Sequence, residues 1–251
     1  MIMAFIRALL AWLYVLPVCL VAIVLALFRP FDPAINVACA RWLSRHGKAL
    51  LGLKTTVEGA EHLNPDGPVV VIANHQHNDD LFVLGDILPP RTVAIGKSSL
   101  RWVPLFGPAF WLAGNILIKR GDRAHAAQAM AVTRDAIQQQ RKTVLVFPEG
   151  TRNHGGPLGK FKQGAFRTAI DAGVPIVMIC VQPYDQRTSG WLARRQPVSI
   201  RVLPPVSTAD LTQEDVRSLM QRCHEQMQTE IDRLAATDTF APPRPSRHVL
   251  G

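Results

Sequence analysis

The chain has 251 residues, of which 48% are hydrophobic, and this allows one globular domain with some additional apolar sequence. Its 28 Lys and Arg residues outnumber its 19 Asp and Glu residues, which gives a formal net charge of +9. Such a balance favours anionic partners: nucleic acids, acidic membranes or phosphorylated small molecules. The four cysteines are widely spaced without a CxxC pair, which argues against a disulfide framework or a cysteine zinc site and favours a reducing compartment.

The first feature along the chain is an uncharged apolar run over residues 8–28, which is long enough to cross a bilayer core of about 30 Å. It exceeds the roughly 7–15 apolar residues of a signal peptide and lacks an A-x-A-like cleavage site, so we expect a retained anchor. More basic residues follow it than precede it, which predicts that the rest of the chain is cytoplasmic. Pro17 leaves open a helical hairpin that dips into one leaflet. Residues 34–53 have the pattern of an amphipathic interfacial helix.

Short β-rich runs alternate with helical patterns after the anchor. The runs VVVIA, TVLVF and PIVMICV are apolar on both faces, as in central strands covered by helices on each side. This alternation predicts an α/β fold with a largely parallel sheet flanked by helices. The predicted strands cover residues 54–58, 68–73, 92–95, 115–118, 143–147, 175–182 and 198–203. The predicted helices cover residues 123–140, 164–172 and 212–234. We expect an anchor over 1–53, one domain over 54–234 and a disordered tail over 235–251.

The strand VVVIA runs directly into the polar segment NHQHNDD at residues 74–80. Functional groups of a parallel α/β sheet collect at the carboxyl ends of its strands. His75 as general base and Asp80 as the carboxylate that orients its ring would form a dyad able to activate a hydroxyl substrate. Two alternatives stay open on this segment alone. It resembles the HxHxDH metal signature of metallo-hydrolases, although Leu81 replaces the last histidine, and it could be a polar surface loop.

A second polar turn, PEGTR, follows the apolar strand TVLVF. Gly150 allows close backbone approach, and Thr151 and Arg152 supply a hydroxyl and a forked guanidinium suited to phosphate. Lys162 and the start of a helix at Gly164 come next, and a helix N-terminus also favours an anion. The turn therefore predicts an anion site, with solvated surface charges as the alternative.

Basic residues also stand at a third strand end, in GNILIKR. Lys119 and Arg120 follow this strand and would join Arg152 in a basic pocket beside the dyad. Upstream, the segment KSSLRWVPLFG places Lys97 among apolar side chains. It fits phosphate contacts with an apolar lining or membrane contact, and it fits ordinary core and surface equally well.

Four segments, NHxxxxD, GxxxIxR, FPEGTR and VPIV, resemble in this order the four blocks of the glycerolipid acyltransferase family, and the likeness to its bacterial members runs from about residue 53 to residue 234. The resemblance implies that His75 is the general base and Asp80 its partner, which favours the dyad over the metal site and the loop. It also implies contacts to the acyl-glycerol-phosphate by Arg120, Glu149, Gly150 and Arg152, with Pro175 near the acyl group or its donor. We add residues in or beside these blocks to the candidate substrate-binding set: Asn74, Lys97, Gly114, Thr151 and Lys162.

Two residues depart from the pattern of the family. Leu117 stands where the family often has Phe, and we expect at most altered packing there. Asp79 stands where the family usually has an apolar or aromatic residue. A carboxylate next to Asp80 can raise the proton affinity of the dyad.

The resemblance implies an O-acyltransferase that moves a fatty acyl group from acyl-CoA or acyl-carrier protein to the sn-2 hydroxyl of lysophosphatidic acid and yields phosphatidic acid for phospholipid biosynthesis. It implies the phospholipid membrane as a partner, no nucleic acid, no metal or redox cofactor, and a catalytic domain on the cytoplasmic face of the inner membrane. Lyso-ornithine lipid and glycerol-3-phosphate stay open as acceptors. A non-enzymatic scaffold for acidic lipids would explain the charge and the anchor but not the polar segments.

Overall fold

A computed structural model describes residues 2–63, 66–119, 123–184 and 197–237 of the chain as two N-terminal helices followed by an α/β unit. The strands are β1 (Thr55–Glu58), β2 (Val70–Ala73), β3 (Thr92–Lys97), β4 (Ile116–Ile118), β5 (Thr143–Val146), β6 (Ile176–Val181) and β7 (Val198–Val202). The helices are α1 (Ile2–Phe28), α2 (Pro33–Leu51), α3 (Asp80–Leu84), α4 (Phe106–Leu112), α5 (Arg123–Gln138), α6 (Gly164–Ala172) and α7 (Val216–Ala236).

All seven predicted strands are present, and the prediction of an α/β fold with a largely parallel sheet is confirmed. The helices α3 and α4 were not predicted, because five and seven residues are too few to show a helical period. Residues 238–251 of the predicted tail lie outside the described residues. The division into three regions stays a prediction.

The seven strands form one sheet in the order β1-β7-β6-β2-β5-β3-β4. Every described pairing is parallel except that of β6 with β7, which is antiparallel. Strand β2 lies at the centre, where Val71 pairs with Val177 of β6 and with Leu145 of β5. The segments that leave β2, β5 and β6 therefore emerge side by side at one edge of the sheet.

Helices cover both faces of the sheet, which explains why the central strands are apolar throughout. Val70 and Ile72 of β2 pack in a core with residues of α5, α6 and α7. Val71 and Ala73 point the other way, into a second core with residues of α2 and α3. A strand buried on both faces cannot alternate apolar and polar residues, so the continuous run VVIA fits its central position.

The N-terminal helices α1 and α2 pack against each other and against α4 in a third apolar cluster. Helix α1 continues through Pro17 without a break in its assignment. Within the part of the chain that the structure describes, residues 9–28 form one helix that is long and apolar enough to cross a membrane. A buried core helix or a signal sequence can meet the same criteria, so this is a weak indication of membrane association. Several large apolar side chains of α1 are exposed: Leu13, Leu16, Leu20, Val24, Leu27 and Phe28.

The backbone of Phe31, in the turn between α1 and α2, forms hydrogen bonds with α4 and with the residue that precedes β5. Its N–H donates to the carbonyl of Leu112 at 2.8 Å, and its carbonyl accepts from Nζ of the buried Lys142 at 3.3 Å. Gly114 makes this approach possible, because a Cβ there would lie 2.7 Å from the Phe31 oxygen. Gly114 also has a φ of +86°, which is unfavourable for other residues.

Substitution Gly114→Ala should therefore destabilise the protein by roughly 1–3 kcal/mol, since it adds both strain and a clash. The measurement is thermal unfolding of the purified protein in detergent. Gly164→Ala is the control, because Gly164 begins α6 and has no atom within 4 Å of the added Cβ. Equal melting temperatures for the two variants would contradict the close contact at Phe31.

Candidate active site

His75 and Asp80 meet just beyond the carboxyl end of β2. Nδ1 of His75 lies 2.6 Å from Oδ2 of Asp80, and because a carboxylate only accepts, the proton of this hydrogen bond belongs to Nδ1. The neutral ring then carries its lone pair on Nε2. Among the described residues, Nε2 has no hydrogen-bond partner, and the side chain of His75 is 21% exposed. The imidazole is thus oriented on one side and open to a substrate on the other.

The side chain of Asp80 is 4% exposed and receives several hydrogen bonds. Oδ2 accepts from the backbone N–H groups of Gln76 at 2.8 Å and His77 at 3.2 Å, as well as from His75. Oδ1 accepts from the hydroxyl of Tyr184. These donors compensate the carboxylate for the loss of water and fix its orientation.

The segment that carries His75 is tied to the end of β6. The side chain of Asn74 accepts from the N–H of Val181 at 2.8 Å and donates to the carbonyl of the same residue at 2.9 Å. The side chain of Gln76 bonds the Gln182 carbonyl at 3.0 Å and the Tyr184 N–H at 3.0 Å. Asn74 and Gln76 are both buried, so the amide of Asn74, predicted to bind substrate, instead joins β2 to β6.

Glu149, the acidic residue of the PEGTR turn, braces the backbone around His75. Its Oε1 accepts from the N–H of His75 at 2.8 Å, and its Oε2 accepts from the N–H of Gly159 at 2.8 Å. Burial raises the pKa of the Glu149 carboxyl, and the hydrogen bonds from these two N–H groups oppose the rise. Because both oxygens are engaged and the side chain is buried, the geometry favours a supporting role over direct contact with substrate.

The rest of the turn carries cationic residues beside backbone that contacts the dyad segment. The N–H of Asn153 donates to the carbonyl of His75 at 2.9 Å, so the exposed Arg152 is one residue away from a direct contact with the dyad segment. Gly150 has a φ of +70°, and a Cβ there would lie 2.8 Å from Nζ of Lys162. Lys162 is itself held by a hydrogen bond from its N–H to the carbonyl of Pro148 at 2.8 Å. Thr151, also exposed, lies between Gly150 and Arg152 on this turn.

Several predicted residues lie away from the dyad or outside the described part of the chain. Gly114 precedes β4 and Pro175 precedes β6, so both stand at the amino edge of the parallel strands, whereas His75 follows the carboxyl end of β2. The structure does not bring these two residues to the dyad. Lys97 ends β3 and is exposed at the carboxyl edge, two strand positions from β2. Arg120 lies outside the described residues.

Two aromatic residues of the site were not predicted from the sequence. The ring of Phe147 stacks on His75, with centroids 4.0 Å apart and planes 19° apart. Tyr184 bonds Asp80 and packs on His77 with centroids 5.1 Å apart. Both residues follow the carboxyl ends of central strands. That position in the sequence could have indicated that they lie at the site.

The histidines of the metal-like pattern face different partners. His75 uses Nδ1 for Asp80, while Nε2 of the buried His77 donates to the carbonyl of Tyr184 at 3.0 Å. In the part of the chain that the structure describes, no group of three His, Cys, Asp or Glu side chains is arranged to hold a metal ion. The dyad therefore accounts for the described contacts of this segment better than a shared metal does.

Asp79, the departure from the family pattern, is a buried carboxyl beside the dyad. Burial and, second, the charge of Asp80 raise its pKa from the usual 3.8 to about 7. Asp79 stands at the N-cap position of α3, yet its side chain makes no capping hydrogen bond. The group therefore changes charge close to neutral pH, next to Asp80.

Substitution Asp79→Asn should raise the stability of the protein at alkaline pH and have less effect at acidic pH. Between its unfolded value near 3.8 and its folded value of about 7, the folded state binds the extra proton. Stability from this group is therefore greatest below the unfolded pKa and falls as the pH rises toward the folded pKa.

Thermal unfolding in detergent at pH 5 and pH 8 measures this dependence. The melting temperature of Asp79→Asn should exceed that of the parent by more at pH 8 than at pH 5. Asp210→Asn is the matched control, since Asp210 is exposed and far from the dyad in sequence. The same difference in melting temperature from the parent at both pH values would contradict a raised pKa of Asp79.

Comparison with known proteins places the chain in a family. Residues 54–182 match the family model described as Acyltransferase. The 1-acyl-sn-glycerol-3-phosphate acyltransferase of Salmonella typhimurium is 35% identical over 228 residues, 91% of this chain and 93% of that protein. The 1-acyl-sn-glycerol-3-phosphate acyltransferase alpha of Mus musculus is 41% identical over 206 residues, 81% of this chain and 72% of that protein. The crystal structure of the 1-acyl-sn-glycerophosphate (LPA) acyltransferase PlsC from Thermotoga maritima has the same fold, with a TM-score of 0.70 and 23% identity over 93% of this chain and 98% of that chain. The chain therefore belongs to the acyltransferase family and is an O-acyltransferase.

Proposed function

We propose that this chain transfers a fatty acyl group from acyl-CoA or acyl-carrier protein to the sn-2 hydroxyl of lysophosphatidic acid and releases phosphatidic acid for phospholipid biosynthesis. The names of relatives that match more than nine-tenths of this chain support the choice of acceptor. The observation that carries the chemistry is the hydrogen bond of 2.6 Å from His75 Nδ1 to Asp80, with Nε2 open to a substrate.

In the proposed reaction, Nε2 of His75 takes the proton of the sn-2 hydroxyl as its oxygen attacks the thioester carbonyl carbon. A new ester C–O bond forms, the C–S bond breaks, and the imidazolium returns the proton to the departing thiolate. Asp80 stabilises the imidazolium while it exists and keeps Nε2 directed at the substrate. A thioester is already activated, so the proposed steps need no metal or redox cofactor.

The phosphate of the acceptor would bind at the PEGTR turn, through Arg152 and Lys162. Arg152 precedes Asn153, whose N–H bonds the carbonyl of His75, and a phosphate bound at this turn would bring the neighbouring glycerol hydroxyl toward the dyad. Lys119 follows β4, which is three strand positions from β2, or roughly 14 Å across the sheet at about 4.8 Å per strand. That distance favours Arg152 and Lys162 over Lys119 as the phosphate ligands.

The membrane would supply the acceptor and receive the product. The exposed apolar side chains of α1 fit insertion into a bilayer, and the excess of basic residues after this helix favours a cytoplasmic catalytic domain at the inner membrane. A bound lipid surface also accounts for the net positive charge without a role for nucleic acid.

The purified protein, assayed in mixed micelles with a panel of acceptors, tests the proposed reaction. The panel contains lysophosphatidic acid, glycerol-3-phosphate, lyso-ornithine lipid and an unphosphorylated monoacylglycerol, each with acyl-CoA and with acyl-carrier protein as donor. Thiol release and lipid product are measured together. We expect lysophosphatidic acid to give the highest kcat/KM. A faster reaction with another lysolipid would replace the proposed acceptor, and lipid binding without thiol release would favour a scaffold.

Substitution His75→Ala should reduce kcat by roughly 10²- to 10⁴-fold, the usual share of general acid–base catalysis. The melting temperature should fall only modestly, because Asp80 keeps its hydrogen bonds from Gln76, His77 and Tyr184 when the ring of His75 is removed. Micelle binding should stay near that of the parent. His62→Ala, which removes a histidine from the short 3-10 helix after β1, serves as the control and should keep parent activity. Near-parent turnover of His75→Ala would overturn the mechanism.

Substitution Arg152→Ala should raise KM for lysophosphatidic acid by roughly ten-fold or more, the effect of losing a hydrogen bond to a charged group. KM for monoacylglycerol should change little, because that acceptor carries no phosphate. Initial rates over a range of acceptor concentrations give both values. Arg217→Ala removes an exposed arginine from α7 and is the control. An equal rise in KM for both acceptors would show that Arg152 does not bind the phosphate.

A further inference from the structure

Tyr184 is a buried tyrosine next to the dyad, and its hydroxyl donates to Oδ1 of Asp80. The other oxygen, Oδ2, accepts from Nδ1 of His75 at 2.6 Å. The two oxygens of one carboxylate thus face two different side-chain donors. A carboxylate held at a single oxygen can rotate about its Cβ–Cγ bond, and a second donor on the opposite oxygen removes this freedom.

The backbone of Tyr184 is fixed by the same segment that carries the dyad. Its N–H donates to Oε1 of Gln76 at 3.0 Å, and its carbonyl accepts from Nε2 of His77 at 3.0 Å. The ring of Tyr184 packs on the ring of His77. Three contacts of Tyr184, apart from its bond to Asp80, thus hold the phenol in place. A side chain that orients a neighbouring group is expected to be held in this way.

We propose that Tyr184 is a positioning residue for acyl transfer, whose hydroxyl holds Asp80 so that Oδ2 faces Nδ1 of His75. This inference rests on the proposed catalytic role of the dyad. Tyr184 acts through Asp80 and takes no proton from the substrate. Burial, followed by the charge of Asp80, raises the pKa of the Tyr184 phenol well above its usual value, so the hydroxyl remains a donor throughout the working pH range.

The same hydrogen bond should affect the pH dependence of the proposed reaction. A donor on Oδ1 withdraws charge from the carboxylate and weakens its attraction for a proton on the His75–Asp80 pair. Among the described residues, titratable groups next to this pair are Asp79 at the N-cap position of α3, His77 in the loop before it, and Glu149 after β5. Loss of the hydroxyl should therefore change the pH profile of acyl transfer.

Substitution Tyr184→Phe tests the proposal, because it removes the hydroxyl and keeps the ring that packs on His77. We expect kcat to fall by roughly ten-fold, the effect of one hydrogen bond to a charged group, while KM for lysophosphatidic acid changes by less than about two-fold. The acidic limb of the kcat/KM profile should move to higher pH. Tyr14→Phe is the matched control, since Tyr14 is the other of the two tyrosines and its hydroxyl faces Nδ1 of His46 on α2 at 3.3 Å.

A second variant keeps the test valid if Tyr184→Phe is unstable. In the Tyr14→Phe background Tyr184 is the sole tyrosine, so growth on 3-fluorotyrosine alters this residue alone. The fluorinated phenol is a stronger donor, and the acidic limb should then move to lower pH, opposite to the effect of Tyr184→Phe. A residue that served packing alone would not produce opposite shifts.

His75→Ala in the same assay separates this proposal from the proposed function. Activity that survives His75→Ala refutes the dyad itself. Loss of activity in His75→Ala, together with parent kcat and an unmoved pH profile in both Tyr184 forms, refutes the role of Tyr184 and leaves the dyad intact.

Discussion

A carboxylate that is 4% exposed can be stable only if hydrogen bonds replace the water it has lost, and Asp80 is in this position. Its donors come from two neighbouring strands: the segment after β2 supplies the ring of His75 and the N–H groups of Gln76 and His77, and the segment after β6 supplies Tyr184. The donors converge because β2 and β6 are parallel neighbours at the centre of the sheet. The hydrogen bonds of Asp80 therefore depend on this strand pairing, which the buried amide of Asn74 reinforces at its carboxyl end.

The N-terminal helix α2 packs directly against the helix that begins at Asp80. Helix α3, which begins at Asp80, packs on α2 so closely that a Cβ on Gly47 would lie 2.2 Å from the ring of Phe82, and a Cβ on Gly85 would lie 2.3 Å from the carbonyl of Ala40. The hydroxyl of Ser44 on α2 also donates to the carbonyl of Phe82. Helix α2, which the sequence predicts to be an interfacial helix, thus supports the helix that begins at Asp80.

The sequence was sufficient to predict the strands and the pair His75–Asp80, because both depend on local patterns: apolar runs that end in polar residues. It was not sufficient for Glu149, whose partners are backbone N–H groups of residues 75 and 159, and backbone donors leave no trace in residue identity. The positions of Gly114 and Pro175 could have been predicted from the sequence, since a residue that precedes a parallel strand lies at the amino edge of the sheet. Membership of a sequence block therefore does not by itself indicate proximity to the dyad.

Asp79 is a buried carboxyl at an N-cap position that makes no capping hydrogen bond. A carboxyl at an N-cap position usually accepts a hydrogen bond from the helix, but this one is buried without such a bond and has its pKa raised to about 7. An apolar residue at this position would avoid the cost of burying the charge. Because the pKa of Asp79 is raised to about 7, this carboxyl gains its negative charge as the pH rises through neutrality, and the adjacent Asp80 then experiences two different electrostatic fields. In the second of these, the hydrogen bond from Tyr184 offsets part of the repulsion that the charge of Asp79 exerts on Asp80.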